Sequence, residues 1–146
     1  MGLRGLSFLL FLLLAVGCAT GPKYAEVKMD IPELKAGEGR LFVYREKRWA
    51  GCAIQPEIKL NERIIGKSIA GGFIYVDRPK GLYKLACGLG FISLFINPGE
   101  STYVEMIPLA GPSGGGLFNI TSRLVDPDYG RSMVQKLRYE GGKKEI

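Results

Sequence analysis

Histidine is absent from the 146 residues. Its absence removes the commonest general base near neutral pH, the commonest metal ligand and every Ser-His or Cys-His catalytic pair. Carboxylates do not cluster either. Glu57, Asp77, Glu100 and Glu105 fall in separate strands or turns, so no acid/base pair is evident. The glycine-rich run from Gly111 to Gly116 is followed by Leu117 and Phe118, where a phosphate-binding loop requires Lys and Ser or Thr. Asp126 and Asp128 lack the further oxygens and the glycine of a calcium loop. No metal and no cofactor is expected. Internal repeats and long low-complexity stretches are missing too, and the one long apolar run, Leu6 to Val16, falls short of the ~20 residues needed to cross a bilayer as a helix.

That run has the layout of an export signal. Arg4 supplies a positive start, Leu and Phe fill the apolar stretch, and small residues close it. Ala15-Val16-Gly17-Cys18 looks like a lipobox. On that reading residues 1–17 are a signal peptide, Cys18 becomes the first mature residue, and its thiol carries a diacylglycerol. Each buried methylene contributes roughly 0.8 kcal/mol, and about two chains are needed for stable anchoring. Ala19, where an Asp would retain the protein in the inner membrane, suits the periplasmic face of the outer membrane if the source is Gram-negative. The alternative is an ordinary signal peptidase site after Ala15-x-Gly17, which releases a soluble exported module with an unmodified Cys18.

Without the leader, about 129 residues remain, enough for one domain with one core. Loss of Arg4 lowers the formal net charge from +6 to +5. Such a charge suits an anionic lipid or glycan surface, and equally suits plain solubility. Cys52 and Cys87 are the other cysteines. In an oxidising compartment they form a candidate disulfide closing a loop of about 35 residues, worth about 3.5–4 kcal/mol on the chain-entropy model. The alternative is a pair of reduced, buried thiols.

Residues 18–38 read as a flexible linker, punctuated by Gly21, Pro22, Pro32 and Gly37. From Arg40 to Arg45, Leu41 and Val43 share one face and Phe42 and Tyr44 the other, so both faces are expected to be covered. Ile58 and Leu60 alternate with Glu57 and Lys59. Asn61-Glu62 then turns the chain into Arg63 to Lys67, a hairpin. Further strands run from Phe73 to Asp77, Leu82 to Cys87, Phe91 to Ile96, Ser101 to Ile107 and Leu117 to Val125. Gly71-Gly72, Arg78 to Gly81, Gly88 to Gly90 and Asn97 to Glu100 separate them. Seven or eight short strands with such regular turns predict an all-β fold, mainly an antiparallel β-sandwich, over residues 39–125. Residues 126–146 predict a short C-terminal helix and tail. Asp126 is its N-cap, Pro127 its first position, and Tyr129, Met133 and Leu137 its apolar stripe.

The run from Gly39 to Arg45, then Gln55 to Asn61, Ile65-Gly66-Lys67, Gly71 to Gly81, Pro98-Gly99-Glu100 and Tyr103-Val104 resembles the bacterial domain-of-unknown-function family 2846. Its members are mostly lipoproteins by sequence. The resemblance spans roughly residues 39 to 125 and implies a lipid-anchored β module. It carries over no catalytic residue. Cys52, Cys87 and the 111–116 loop lie outside its pattern.

The functional expectation is a membrane-anchored envelope lipoprotein whose β-sandwich binds or scaffolds without catalysis. The membrane is its partner through the lipid on Cys18, with an envelope protein or an anionic glycan or lipid as the further candidate and no nucleic acid. Trp49, Lys59, Arg63, Lys67 and Arg78 form the candidate binding face, the alternative being solvated strand faces with lysines guarding sheet edges. The competing function is a cell-envelope hydrolase acting through carboxylates.

Overall fold

Alternating apolar residues in short runs build two sheets packed face to face in a computed structural model, which describes residues 17–48, 51–109 and 119–141. The first helix is α1 (Tyr24–Val27), followed by strands β1 (Glu38–Tyr44), β2 (Glu57–Leu60), β3 (Arg63–Lys67) and β4 (Gly72–Pro79). Then come β5 (Gly81–Cys87), β6 (Gly90–Ile96), β7 (Ser101–Leu109), β8 (Asn119–Val125), helix α2 (Pro127–Val134) and β9 (Arg138–Tyr139). One sheet has the order β8-β7-β1-β4-β9 and the other β3-β2-β5-β6. The all-β sandwich and its C-terminal helix are as the sequence predicts. Two pairings depart from the antiparallel rule, since β1 runs parallel to β7 and β4 parallel to β9.

The alternation along β1 divides the apolar residues into two clusters. Leu41 and Val43 point between the sheets, where Ile58, Leu60, Ile74, Val76, Leu85, Val104 and Ile120 join them. Phe42 and Tyr44 point to the far side and meet Phe73, Tyr103, Val134 and Leu137. The far side is aromatic. Phe42 stacks on Tyr103 with ring centroids 5.0 Å apart, and Phe73 lies 5.5 Å from Tyr139 and 5.8 Å from Tyr24.

Tyr24 and Val27 overturn the linker expectation for residues 18–38. Both pack against the aromatic cluster, and the backbone N–H of Tyr24 donates to the carbonyl of Leu137 at 3.1 Å. Glu26 caps α1 by accepting from the backbone N–H of Lys23 at 2.6 Å. Farther on, Arg40 grips the same segment, donating to the carbonyl of Pro32 at 2.6 Å while forming a two-pronged ion pair with Asp77 at 2.6 and 2.7 Å. A four-residue helix is too short to show an apolar period, which is why its pattern reads as a linker.

The cap of α2 is as expected, the Asp126 carboxylate accepting from the backbone N–H groups of Asp128 and Tyr129. Of its expected stripe, Leu137 is buried and Met133 packs against the aromatic cluster, but Tyr129 does not. Gly130 and Val134 face inward, whereas Tyr129 is 44 % exposed. A methyl group at Gly130 would overlap the ring of Tyr103, so the glycine is what lets α2 approach the sheet.

Candidate functional site

Strand direction sorts the polar side chains into two poles of the sandwich. β1 ends at Tyr44 opposite Phe73, and β2 starts at Glu57 opposite Lys67. At the other end Glu38 lies opposite Pro79, and Leu60 opposite Arg63. The seven residues of β1 run between these ends, six steps of 3.3 Å or about 20 Å.

Cys18 lies at the first pole. It forms a parallel bridge with Ala70, and the backbone N–H of Ala19 donates to the carbonyl of Ala70 at 2.9 Å. Its Sγ is 2.6 Å from Sγ of Cys52, and both thiols are free. The contact with Cys18, followed by burial, raises the Cys52 pKa, with Arg45 and Lys47 opposing. Arg45 is the organiser of this pole. It is 1 % exposed, and its guanidinium donates to the carbonyls of Gly51 at 2.6 Å, Ile54 at 2.7 Å and Ser68 at 3.2 Å. Burial lowers its pKa, against the pull of the three neighbouring cysteines. Arg45 thus pins residues 51–54, and with them Cys52, onto the end of the sandwich.

Of the two alternatives for Cys52 and Cys87, a disulfide or two reduced thiols, the structure has both thiols free. Cys52 faces Cys18, whereas Cys87 lies on β5 in the inter-sheet core, 2 % exposed. Burial pushes its thiol pKa up to about 11, with Arg45 and Ser68 pulling down. Sequence spacing could not reveal this, because only the packing of β5 decides which way residue 87 points.

The candidate binding face divides in the same way. Lys67 lies at the Cys18 pole, across from Glu57. Lys59 is on β2 between the inward residues Ile58 and Leu60, hence on the outer surface, where it lines a 220 Å3 depression with Glu57, Ala86 and Gly88. Trp49 lies outside the described residues, as do the leader at residues 1–16, the 111–116 loop and the tail beyond Gly141. Arg63 and Arg78 alone are brought together. With Leu60, Asn61 and Tyr83 they line a 410 Å3 cleft at the second pole. Arg63 pairs with the inward-facing Leu60, and Arg78 follows the inward-facing Ile74 and Val76 by period two. Both arginines therefore issue from the inner faces, where the sandwich opens at its end.

The four carboxylates considered for hydrolysis occupy separate places. Asp77 is held by Arg40 and Glu105 by Arg123. Glu100 accepts from Asn97 at 3.0 Å, and Glu57 lies 4.0 Å from Lys59. Glu105 is 2 % exposed and adjoins Tyr44, whose pKa burial raises first and Glu105 second. No group of three or more Cys, Asp and Glu residues suited to a metal ion occurs among the described residues. No described helix is long and apolar enough to cross a membrane. Comparison with protein-family models, curated proteins and solved structures finds no match to this chain.

Proposed function

We propose that the protein is an exported lipoprotein, held on a membrane through acyl chains on Cys18, whose β-sandwich serves the envelope as a non-enzymatic binding or scaffolding module. The periplasmic face of the outer membrane is its place if the source is Gram-negative. The observation that carries this reading is the position of Cys18. It follows the lipobox-like run directly, and it is joined to one pole of the fold through Ala70, opposite the pole that opens the Arg63–Arg78 cleft. An anchor at one end and a recess at the other suit a domain that presents a surface outward from a membrane. Against hydrolysis stand the lack of histidine and the engagement of Asp77 and Glu105 in ion pairs with arginine.

The 2.6 Å approach of Cys18 to Cys52 favours a second reading, a soluble exported module with Cys18 unmodified. There the two thiols give up two hydrogens to the disulfide of an oxidised exchange partner, which is reduced to its dithiol. Intact mass of the native protein separates the two. A chain starting at Cys18 and carrying two or three acyl groups supports the lipoprotein. An unacylated product in the aqueous fraction, two hydrogens lighter than the reduced chain, replaces it with the soluble module.

A further inference from the structure

Both described helices pack on the outer face of the five-stranded sheet, where Tyr24, Val27 and Val134 join the aromatic cluster. The outer face of the four-stranded sheet carries exposed apolar side chains instead. Leu85, Cys87, Leu94 and Ile96 point into the core, so alternation turns Leu82, Lys84 and Ala86 of β5 and Phe91, Ser93 and Phe95 of β6 outward. Leu82 is 70 % exposed, Phe91 62 % and Phe95 48 %. At roughly 200 Å2 for a fully exposed side chain of this size, the three present about 350 Å2 of apolar surface. A patch of that size is often an interaction site.

The strand register makes the patch its own complement. Leu82 lies beside Phe95, Lys84 beside Ser93 and Ala86 beside Phe91. A two-fold axis parallel to the strands, between β5 and β6, seats β5 of one copy over β6 of another. Leu82 then covers Phe95, Ala86 covers Phe91, and the Lys84 ammonium meets the Ser93 hydroxyl. No lysine of β5 or β6 faces a lysine across this axis. Charge permits the approach as well. The chain carries +6, which opposes self-association in general. The two lysines bordering the patch nevertheless each have an acid beside them, Glu62 at 3.4 Å from Lys84 and Glu57 at 4.0 Å from Lys59. Lys84 also lies over the Phe91 ring, 4.7 Å from its centroid, so its stem extends the apolar surface.

Seating two copies face to face covers the patch twice, about 700 Å2, and the polar residues of the same rows bring the buried area to the order of 1,200 Å2, where specific interfaces begin. The axis also fits the anchor. The strands run from the Cys18 pole to the other pole, so rotation about a line parallel to them leaves both Cys18 poles facing one way, as two copies on one membrane require. We propose that the protein associates as a symmetric dimer through the outer faces of β5 and β6, a second copy of this chain being the occupant of the patch. The dimer goes beyond the binding-module reading above and forms with or without acyl chains on Cys18.

The test is sedimentation equilibrium of the detergent-extracted full protein in density-matched detergent, with isotope-filtered NMR on a mixture of labelled and unlabelled chains. A monomer–dimer equilibrium with a Kd of about 10 μM or tighter is expected, with contacts between Leu82 methyls of one copy and Phe95 ring protons of the other. Leu82→Lys and Phe95→Lys should each raise Kd about a hundredfold, because a symmetric interface contains every change twice. Tyr129→Lys, an exposed aromatic on α2, should leave Kd unchanged. Leu82 and Phe95 lie outside the core, so their variants keep the native urea midpoint, and loss of the dimer is not loss of the fold. A monomer up to about 200 μM, a dimer that both lysine variants leave intact, or a different protein held one-to-one on the patch overturns the proposal. Intact mass reports separately on acylation, so failure of the dimer and failure of the lipoprotein reading are distinguishable.

Discussion

Arg45 is a charge placed in the core at the end of a strand, with three carbonyls and no carboxylate around its two terminal nitrogens. A buried cation is costly unless its donors are used; here both terminal nitrogens fold a connection back over the Cys18 pole, while Nε has no partner among the described residues. Replacing Arg45 by Met keeps the length but leaves the carbonyls of Gly51, Ile54 and Ser68 without it. We expect a loss of about 2–4 kcal/mol in urea unfolding, together with faster proteolysis in the 46–56 connection. Cys87 is another buried titratable group, and burial pushes its thiol pKa up from the usual 9.0 to about 11. The unfolded chain therefore releases this proton first as pH rises. Stability from the neutral thiol is intact below pH 9 and declines toward pH 11, by about 2–3 kcal/mol in total. Urea midpoints measured across that range should fall less steeply for Cys87→Val than for the native chain. Arg45 reads in the sequence as an ordinary polar strand end, because burial at a strand terminus depends on what the following loop does, whereas a reduced, buried Cys87 stands there as the alternative to a disulfide.

Among the elements, the strands were the most legible and the helices the least. Alternation in EIKL and the Asn61-Glu62 turn identified the β2–β3 hairpin, and the double-faced apolar pattern of β1 identified a strand covered on both sides. Period two could not show which sheet each strand joins. Sequence neighbours β3 and β4 lie in different sheets, as do β4 and β5, so basic residues that look contiguous from Lys59 to Arg78 end on different surfaces. In α2, helix propensity misleads. Gly130 weakens the helix by about 1 kcal/mol relative to Ala, yet the site of its missing side chain is filled by Tyr103, itself stacked on Phe42. Gly130→Ala should therefore lower the melting temperature, the overpacking cost of about 1–3 kcal/mol exceeding the propensity gain. A rise in melting temperature would show that α2 does not sit against Tyr103 as described.

At the scale of the whole molecule, the decisive question is whether the chain after Cys18 stands off from the domain or belongs to it. A flexible 20-residue tether would have an r.m.s. span of about 25 Å and let the sandwich tumble above a membrane. The structure instead docks residues 18–24 against Ala70 and the segment around β9. Ala19 donates to Ala70 at 2.9 Å, Tyr24 to Leu137 at 3.1 Å, and Tyr139 back to Pro22 at 2.8 Å. Arg138 adds a guanidinium bond to the carbonyl of Gly21 at 2.8 Å, and Glu140 accepts from the Gly21 N–H at 2.9 Å. On the lipid-anchor proposal, acyl chains on Cys18 then hold the Cys18 pole close to the bilayer, with exposed Lys47, Arg48 and Lys67 near the headgroups and the Arg63–Arg78 cleft about 20 Å farther out, a strand's length. Hydrogen exchange separates a docked segment from a tether without any assumption about lipid. The amides of Ala19, Tyr24 and Tyr139 should exchange on the timescale of the β4 amides. Tyr24→Ala, which removes the ring packed on Phe73, should speed exchange at Ala19 and Tyr24 before it affects β1. If those amides in the native protein exchange as fast as a free peptide, the segment is a tether, and the fixed distance between anchor and cleft is lost with it.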